Sequence, residues 1–309
     1  MPLFLSEEDV DGLLSPEEAV AAVEGAFLRM AAGAVEQAPR RRLRLEDGKL
    51  ADMAAADLEL GYAGAKVYAG FGDGAAFVVS LFAADRPELV ALIEADRLGR
   101  LRTGAASGVA AKYLGKEGAA SLGVIGCGWQ AETQVACIRA ALPTIARVVA
   151  YCRTERNLRA FCDRVGAEPG ENHRDPAGQD VVVTITTSRD PVLRGEWLQP
   201  GALVCAVGAN TPASRELDNV VLERASLVCC DWLEQARLES ADLIEPVETG
   251  VLDWLEVHEL HEVVAGELPG RQSPEDIVLF KSNGIAAWDI SIAAAVVDRA
   301  RERGVGLEV

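Results

Sequence analysis

Short apolar runs that recur from residue 121 onward constrain the fold more than any other feature of this sequence. They read SLGVIG, RVVAYC, VVVTITT, ALVCAVG and SLVCCD. Segments with helical character, QAETQVACIRAAL and ERNLRAFCDRVG, follow the first two runs, and a connector with Gly, Trp and Pro follows the third. Strands that are apolar on both faces are typical of a parallel sheet covered by helices on both sides. The alternation therefore predicts a doubly wound α/β domain.

The chain before this alternation follows a different pattern. Ser15-Pro16-Glu17-Glu18 is a capping signal, and the apolar spacing after it predicts a helix. Residues 62–83 hold two strand-like runs joined by a Gly/Asp turn, and the alanine-rich stretch 103–115 predicts a second long helix. A last amphipathic segment follows IVLFKS, and we expect it to pack back on the first domain. The predicted domains are a discontinuous α+β domain, 1–115 with 288–309, and the α/β domain 116–287 between its two parts.

Composition limits the classes of partner. The net charge of −18 argues against nucleic acid and anionic membranes, because both would repel the protein. The N-terminus MPLFLSEEDVDGLL has no basic region and no cleavable apolar core, so we expect no signal peptide. The seven cysteines show no CxxC spacing and mostly lie inside apolar runs, which is typical of buried thiols in a reduced cytoplasm.

The stretch GVIGCGWQAE follows a predicted strand and opens a predicted helix, which is the context that a dinucleotide-binding fingerprint requires. Gly126 permits a tight turn, Gly128 lets the backbone approach a pyrophosphate, and Ala131 is small enough for the third position. The helix N-terminus offers N–H groups and the positive end of a dipole. We therefore predict a Rossmann-type cofactor site at the turn residues Gly126, Gly128, Trp129, Gln130 and Ala131.

The end of the second strand indicates which cofactor binds. NAD enzymes usually place an Asp or Glu there to accept from the ribose 2′-OH, whereas this chain has Cys152, Arg153 and Thr154. Arg153 can pair with a 2′-phosphate, and no carboxylate is present to repel that group. The alternative is that Arg153 is a solvated surface arginine. We predict that NADP is preferred and that NAD remains possible.

Few residues of this chain are suited to acid–base work. His173 lies in a polar loop, and His258 and His261 lie in VHELHEV, where we predict a surface helix; a metal site with Glu262 is the alternative, and we predict none. Lys66 stands in YAGAKVYAGF among apolar and small residues, and it either reaches the surface or points into a cleft.

Arginines cluster in an otherwise acidic chain at Arg40, Arg41, Arg42, Arg44, Arg100 and Arg102. Arg102 directly precedes the predicted start of the second long helix. Its guanidinium and the helix N-terminus would there bind a carboxylate together. The clusters favour a small anionic substrate.

Several segments together resemble the ornithine cyclodeaminase/μ-crystallin family. They are LRTGAASGVAAKYL (101–114), GVIGCGWQA (123–131), PVLRGEWLQPGALVCAVGANTPASRELD (191–218), FKSNGIAAWDISIAAA (280–295) and the lysine of GAKV (64–67). The resemblance covers nearly the whole chain in the right order. It implies a homodimer of two-domain subunits, with an L-amino or imino acid bound between the domains against a nicotinamide.

The resemblance also implies roles for individual residues. Arg41, Lys66 and Arg102 would hold the substrate carboxylate, with the register within Arg40-Arg41-Arg42 open by one residue, and Lys66 would also deliver a proton. The residues implied to line the cofactor are Thr103, Thr186, Val207, Gly208 and Ser282.

Two departures from the family pattern bear on activity. Cyclodeaminases and alanine dehydrogenases of the family resemble one another in an Asp where this chain has Asn210, and an amide cannot take up a proton. We expect Asn210 beside the substrate, in a site that does not need a general base, as in the family's ketimine reductases. Asp218, Asp231 or Asp289 would have to compensate in a deaminase. The second departure is AEPGENHRDPAGQ (167–179), which we expect to be too short and polar for the family's strand and helical turn.

Together these features predict an NAD(P)H-dependent oxidoreductase acting on C–N bonds, which reduces cyclic or open imino acids to L-amino acids. Three alternatives stay open: cyclodeamination of ornithine or lysine with bound NAD, amino-acid dehydrogenation with free ammonia, and non-catalytic, NADPH-dependent binding of a small ligand.

Overall fold

The computed structural model of the protein describes residues 1–72 and 74–309, which form two compact units. One unit comprises Met1–Arg102 and Ile285–Val309, and the other comprises Thr103–Gly284. Our sequence-based boundaries after residues 115 and 287 therefore differ from the limits of these units by several residues. The assignment of the two parts to substrate and nucleotide binding stays a prediction.

The N-terminal part of the chain contains seven strands and three helices. They are β1 (Leu3–Leu5), α1 (Glu7–Val10), α2 (Pro16–Ala31), β2 (Val35–Gln37), β3 (Arg41–Arg44), β4 (Gly48–Asp57), β5 (Tyr62–Phe71), β6 (Gly74–Ala83), β7 (Leu89–Glu94) and α3 (Asp96–Leu114). The helix predicted after Ser15 is confirmed: Ser15 is the N-cap of α2 and forms a capping box with Glu18. The two strands predicted within residues 62–83 are β5 and β6. The turn predicted between them includes Asp73, which lies outside the described residues.

The remaining elements begin at residue 121. They are β8 (Ser121–Ile125), α4 (Ala131–Ala141), β9 (Arg147–Tyr151), α5 (Glu155–Val165), β10 (Glu168–Pro169), α6 (Arg174–Ala177), β11 (Val181–Thr184), β12 (Leu203–Ala206), α7 (Asn219–Arg224), β13 (Ala225–Cys230), α8 (Leu233–Glu239), α9 (Ala241–Glu248), β14 (Val257–Glu259), α10 (Leu260–Val264), β15 (Ile277–Lys281), α11 (Ala286–Arg303) and β16 (Leu307–Glu308). Short 3-10 turns cover Gly195–Trp197 and Trp254–Glu256.

The second unit is built on a parallel sheet. Its strand order is β10-β9-β8-β11-β12-β15-β13-β14, and every neighbouring pair is parallel. The five apolar runs identified in the sequence form β8, β9, β11, β12 and β13. The direction of strand addition reverses between β8 and β11, and ligands of such sheets bind beyond the carboxyl ends of the strands at that reversal. The unit is a Rossmann-type doubly wound domain, as predicted.

The first unit is built on a mixed sheet of order β16-β1-β7-β6-β5-β4-β2, with β3 also paired to β4. Side chains alternate between its two faces. The buried face holds Met53, Lys66 and Val79, which are neighbours in register, and α11 packs on β4, β5 and β6. We call the opposite side the outer sheet face and define it by Val67, Val78 and Phe82, all of which are exposed.

The second long helix is longer than predicted, which corrects the position of Arg102. It begins at Asp96 rather than at residue 103, because the side chain of Glu7 accepts hydrogen bonds from the backbone N–H groups of Asp96 and Arg97. This cap comes from a residue distant in the sequence, so no local signal announced it. Arg102 therefore lies within α3 and does not combine with a helix N-terminus.

The segment 167–179 is also corrected, because it does form a short strand and a helical turn. Pro169 pairs with Ala150 of β9, and the N–H of Gly170 donates to the Ala150 carbonyl. Pro176 and Ala177 of α6 are buried, and a Cβ added to Gly123 would lie 1.8 Å from the Pro176 carbonyl oxygen. A glycine on the central strand thus lets a single helical turn approach closely enough to cover it.

The helix predicted over VHELHEV is wrong at its beginning. His258 lies in β14, paired in register with Cys229, and only Leu260–Val264 is helical. Each histidine contacts a neighbouring glutamate, His258 with Glu262 and His261 with Glu259. Within residues 1–72 and 74–309, no group of histidine, cysteine and acidic side chains has an arrangement that could hold a metal ion.

Hydropathy of the helices gives one further result. In the part of the chain that the structure describes, none is long and apolar enough to cross a membrane.

Candidate functional site

The turn after β8 has the geometry that a dinucleotide pyrophosphate requires. Gly126 adopts φ +112°, and a Cβ there would lie 2.4 Å from the Ile185 carbonyl oxygen, so a side chain is excluded on both grounds. A Cβ at Gly128 would meet nothing within 4 Å, so this stretch of backbone is open to a close ligand. Ala131 begins α4 and is fully buried, as the packing position of the fingerprint requires.

The N-terminus of α4 follows this turn directly. Gln130 is its N-cap, and the Gln130 side chain makes no capping hydrogen bond. First-turn N–H groups that no side chain caps suit an anionic ligand, because they also carry the positive end of the helix dipole. The residues of the turn therefore fit the pyrophosphate of a dinucleotide.

A cleft of about 260 Å³ lies in the second unit beside this turn. Predicted residues in its lining are Gly126, Gly128, Arg153, Thr154 and Thr186, joined by Cys127, Cys152, Asn157, His173, Thr187 and Ser188. Other predicted cofactor residues do not belong to the lining that the described residues form: Trp129, Gln130, Ala131, Val207, Gly208 and Ser282. Trp129 is 63% exposed, which fits neither packing nor a wall of this cleft.

His173 is a cleft residue that the sequence analysis left in a polar loop. Its ring meets that of Tyr151 edge to face, with 4.7 Å between the centroids. Burial and the nearby charge of Arg153 lower the pKa of His173. Because β10 pairs with β9, His173 lies at the carboxyl end of β9, where Arg153 follows. The local sequence could not reveal this position.

The loops after β11 and β12 are joined by a buried glutamate. Thr186 donates to Glu216 through its backbone N–H and its hydroxyl, and Gly208 donates to the same carboxylate through its N–H. Val207 donates its N–H to the Thr184 carbonyl, which keeps the two strand ends adjacent. Asn210, half-buried, follows this loop directly.

Two other predicted cofactor residues of the second unit are buried. Thr103 is the first residue of this unit, in the middle of α3. Ser282 follows β15, and its hydroxyl donates to the carboxylate of Asp231. The same carboxylate accepts from the backbone N–H groups of Asn283 and Gly284. Asp231 thus organises the turn after β15, so its oxygens are already used.

The first unit contains a buried cluster of charged side chains from three elements. Lys66 of β5 and Arg102 of α3 both donate to one oxygen of Asp289 in α11, at 3.0 and 3.1 Å. All three residues are at least nine-tenths buried. A Cβ at Gly99 would lie 3.1 Å from the Lys66 ammonium, so a glycine on α3 gives the lysine its space. The structure therefore brings Lys66 and Arg102 together, with Asp289 between them.

The arginine that joins this cluster is Arg40 rather than Arg41. Arg41 pairs in register with Asp52 of β4, and the next residue of that strand, Met53, pairs with Lys66. Because successive residues of a strand face opposite sides, Arg41 faces the side of the sheet opposite to Lys66. Its side chain is 78% exposed and forms an ion pair with Asp52 at 2.8 Å. Arg40 is 8% exposed, and its charge acts on Lys66. The structure thus corrects the register of the arginine run by one residue.

The cluster changes the proton affinity of Lys66. The pKa of Lys66 is lowered to about 8: burial is the largest cause, Asp289 opposes it, and the charges of Arg102 and Arg40 add to the lowering. Lys66 and Arg102 share one oxygen of Asp289, and the charge of Arg40 also acts on Lys66. Such an excess of buried positive charge suits an anionic ligand.

Asp289 is the site residue that the sequence analysis undervalued, since it appeared only as one of three acids able to compensate for Asn210. Its second oxygen, Oδ2, has no hydrogen-bond partner among the described residues, and neither has the indole N–H of the adjacent Trp288. By contrast, Asp218 caps α7 and Asp231 holds the turn after β15. The sequence did contain a signal for Asp289, because an acidic residue is unusual within the apolar run AAWDISIAAAVV. Lys66 gave the same kind of signal as a lysine within an apolar strand.

Comparison with known proteins agrees with this fold and these motifs. Residues 1–304 match the model of the ornithine cyclodeaminase/mu-crystallin family. An alanine dehydrogenase of Archaeoglobus fulgidus is 37% identical over 99% of this chain and 98% of its own. The structure of Thermococcus litoralis Δ1-pyrroline-2-carboxylate reductase in complex with NADH and L-proline matches with a TM-score of 0.94 and 30% identity, over 99% of this chain and 100% of that one.

A third relative is an archaeal alanine dehydrogenase dimer with bound NAD. Its structure has a TM-score of 0.93 and 35% identity, and the match covers 100% of this chain and 98% of that one. A family match over nearly the entire sequence, with relatives above 30% identity at full length, leaves no doubt about kinship. The chain belongs to the ornithine cyclodeaminase/mu-crystallin family.

Proposed function

We propose that the protein is an NAD(P)H-dependent reductase of imino acids, which converts cyclic ketimines such as Δ1-pyrroline-2-carboxylate or Δ1-piperideine-2-carboxylate to L-amino acids. The observation that carries the proposal is the buried cluster of Arg40, Lys66, Arg102 and Asp289. It offers an ammonium group of lowered pKa among cations suited to a carboxylate. The pyrroline-2-carboxylate reductase among the relatives supports the substrate class.

The reaction needs a carboxylate site, a hydride donor and a proton donor. Reduced nicotinamide supplies a hydride to an imine carbon when it is bound. Arg102 and Arg40 would hold the substrate carboxylate through charge-assisted hydrogen bonds, which fixes the position of the imine. Lys66 would donate the proton that the imine nitrogen receives. A donor with a pKa of about 8 is protonated at neutral pH and still releases its proton readily.

Asn210 supports reduction over deamination. A deaminase must activate water, which requires a group that accepts a proton, and an amide does not. Reduction of a preformed C=N bond needs no such base. In this proposal Asn210 contacts the substrate or its nitrogen only as a hydrogen-bonding group.

We propose NADPH as the preferred cofactor, with NADH as an accepted alternative. Arg153 and Thr154 line the cleft at the end of β9, where no acidic side chain is present to accept from a ribose 2′-OH. The related structures hold NADH and NAD, so binding of a nicotinamide dinucleotide is common to the family. The other predicted cofactor roles also belong to this proposal: those of the turn residues Trp129, Gln130 and Ala131, and those that the resemblance implies for Thr103, Val207, Gly208 and Ser282.

A second candidate is an amino-acid dehydrogenase, favoured by the 37% identity with an alanine dehydrogenase over the full chain. It would use the same cluster, with an open-chain imine formed from a 2-oxo acid and ammonia. The two candidates differ in whether ammonia is required.

We also propose a homodimer in the cytoplasm. The outer sheet face exposes Val67, Val78 and Phe82, an apolar surface that an obligate interface would cover. The archaeal alanine dehydrogenase dimer supports this assembly. Within residues 1–72 and 74–309 no cysteine forms a disulfide, which agrees with the reducing compartment proposed here.

The first experiment follows nicotinamide absorbance with purified protein. We expect rapid oxidation of NADPH with Δ1-pyrroline- or Δ1-piperideine-2-carboxylate in the absence of ammonia, and slower oxidation of NADH. Oxidation that needs a 2-oxo acid with ammonia would establish the dehydrogenase instead. Release of ammonia and proline from ornithine in the presence of NAD, without net oxidation, would replace the proposal with a cyclodeaminase. Ligand binding without turnover of any of these substrates would favour the alternative of a non-catalytic, NADPH-dependent binding protein.

A further inference from the structure

Glu216 is a fully buried carboxylate beneath the carboxyl ends of β11 and β12. Its Oε1 accepts from the N–H of Thr186 at 2.7 Å and from the Thr186 hydroxyl at 2.8 Å. Its Oε2 accepts from the N–H of Gly208 at 2.7 Å, the N–H of Ala209 at 3.1 Å and the Thr184 hydroxyl at 3.0 Å. One oxygen thus holds the loop after β11, and the other holds the loop after β12.

The space around this carboxylate is closely fitted. A Cβ at Gly208 would lie 2.3 Å from the Thr186 nitrogen and 2.6 Å from a Glu216 oxygen. The two loops therefore touch through backbone atoms, with the carboxylate as the acceptor that both share. A shorter or neutral side chain at position 216 would leave one loop without its acceptor.

The ion pair between Asp242 and Lys281 supports the backbone at Glu216. Asp242 accepts from the backbone N–H groups of Glu216 and Leu217, and its other oxygen lies 3.1 Å from the ammonium of Lys281 at the end of β15. Lys281 also donates to the carbonyls of Ala206 and Ala209. Side chains of Glu216, Asp242 and Lys281 are fully buried, and the group carries two carboxylates against one ammonium.

The donors around Glu216 favour its ionised form. Each of its oxygens receives at least one backbone N–H, a group that can only donate. Burial and Asp242 raise the pKa of Glu216, while Lys281 and the hydrogen bonds from Thr186 oppose that rise. Five donors on one carboxylate favour its ionised form.

The location of this anion matters because of the sheet order. In a doubly wound sheet one half binds the adenosine part of a dinucleotide and the other half binds the nicotinamide part. Here β8, β9 and β10 carry the phosphate turn and Arg153, so β11, β12 and β15 form the nicotinamide half. The oxidised nicotinamide ring carries a positive charge, and the reduced ring is neutral.

We propose that Glu216 is a positioning residue that fixes both nicotinamide-side loops and favours the oxidised cofactor over the reduced one through its fixed negative charge. The inference rests on dinucleotide binding and is independent of which imino acid is reduced. Stabilising the oxidised ring makes the reduced cofactor a better hydride donor, which suits a reductase.

The test is a calorimetric titration of the intact protein with oxidised and with reduced cofactor, without imino acid. We expect Glu216→Gln to weaken binding of both forms, because one loop contact is lost, and to weaken binding of the oxidised cofactor about tenfold more than binding of the reduced one, because the negative charge is lost as well. Glu216→Asp keeps the charge but shortens the reach, so it should weaken both forms by a similar factor. Glu196→Gln, which removes an exposed carboxylate of the same unit, is the matched control and should change neither affinity.

Equal weakening of both redox forms by Glu216→Gln would overturn the charge effect, and unchanged affinities would overturn the positioning role as well. Should Glu216→Gln not yield folded protein, Asp242→Asn removes the other anion of the group and must shift the affinity ratio in the same direction. No imino acid takes part in this titration, so failure of the proposed reductase activity would leave its result intact.

Discussion

Lys66 lies where burial and two guanidinium groups lower its proton affinity and one carboxylate raises it. With a pKa of about 8, the folded protein holds a lysine that titrates near physiological pH, which an exposed lysine does not. Lys66 was conspicuous in the sequence as a lysine within an apolar strand, and Arg102 as a member of an arginine cluster just before a predicted helix. The register of Arg40-Arg41-Arg42 was open by one residue, because only the pairing of β3 with β4 decides which of two adjacent arginines faces the lysine.

The role of Lys66 predicts a pH profile. In the proposed mechanism the ammonium of Lys66 is the proton donor, so kcat/KM for imine reduction should be level below the pKa of about 8 and should fall as pH rises through it. Asp289 raises the pKa of Lys66, and Asp289→Asn should therefore move the decline to lower pH. The measurement is kcat/KM against pH for both proteins. A decline that stays in place in Asp289→Asn would contradict the coupling of these two residues.

Removal of the ammonium predicts a loss of turnover without a loss of cofactor. Lys66→Met should lower kcat by about 100-fold or more, the usual range for a proton donor. The affinity for NADPH should not change, because the phosphate turn and the cleft belong to the other unit. Steady-state kinetics and a cofactor titration check both statements, and full turnover by Lys66→Met would sink the proposed mechanism.

The arginine run offers a matched pair of variants. Arg40→Ala removes a buried cation of the cluster and should raise KM for the imino acid by about tenfold or more, as expected for a charge-assisted hydrogen bond. Arg41→Ala removes an exposed partner of Asp52 and should leave KM unchanged. The reverse result would restore the register implied by the family resemblance.

For the helices and strands, local sequence signals predicted the middle of an element better than its ends. The capping box at Ser15 defines the start of α2 because all its atoms lie within one turn. The start of α3 was missed because its cap is Glu7, and the strand β10 was missed because only pairing with β9 stabilises two residues as a strand. Interactions between distant residues decide both cases, and a single sequence does not show them.

The proposed preference for NADPH depends on the connection between β9 and α5. Arg153→Ala should raise KM for NADPH by about tenfold or more, because the 2′-phosphate loses a charge-assisted contact, and should leave KM for NADH almost unchanged. Arg156→Ala removes an equal charge from an exposed position of α5 and is the control. A similar KM change for both cofactors would mean that Arg153 does not contact the 2′-phosphate.

The two units differ in how far the sequence determined them. The centre of the parallel sheet was predictable because the strands β8, β11 and β12 are short apolar runs that are almost fully buried. Strand β4, GKLADMAAAD, has few residues that favour strands and was not predicted; its pairing with β5 along its full length stabilises it. The outer sheet face could likewise be recognised only once the register of β5 and β6 was known.

That face predicts the state of assembly. Val67 and Val78 are opposite each other in register, 39% and 42% exposed, and Phe82 on the same face is 43% exposed. If this surface joins two subunits, Val78→Asp would bury a charge at the interface and should convert the dimer to monomers in light scattering. Leu255→Asp, at an exposed apolar residue of the other unit, is the control and should leave the dimer intact. A dimer that persists in Val78→Asp would place the interface on another surface, and a wild-type monomer would contradict the assembly itself.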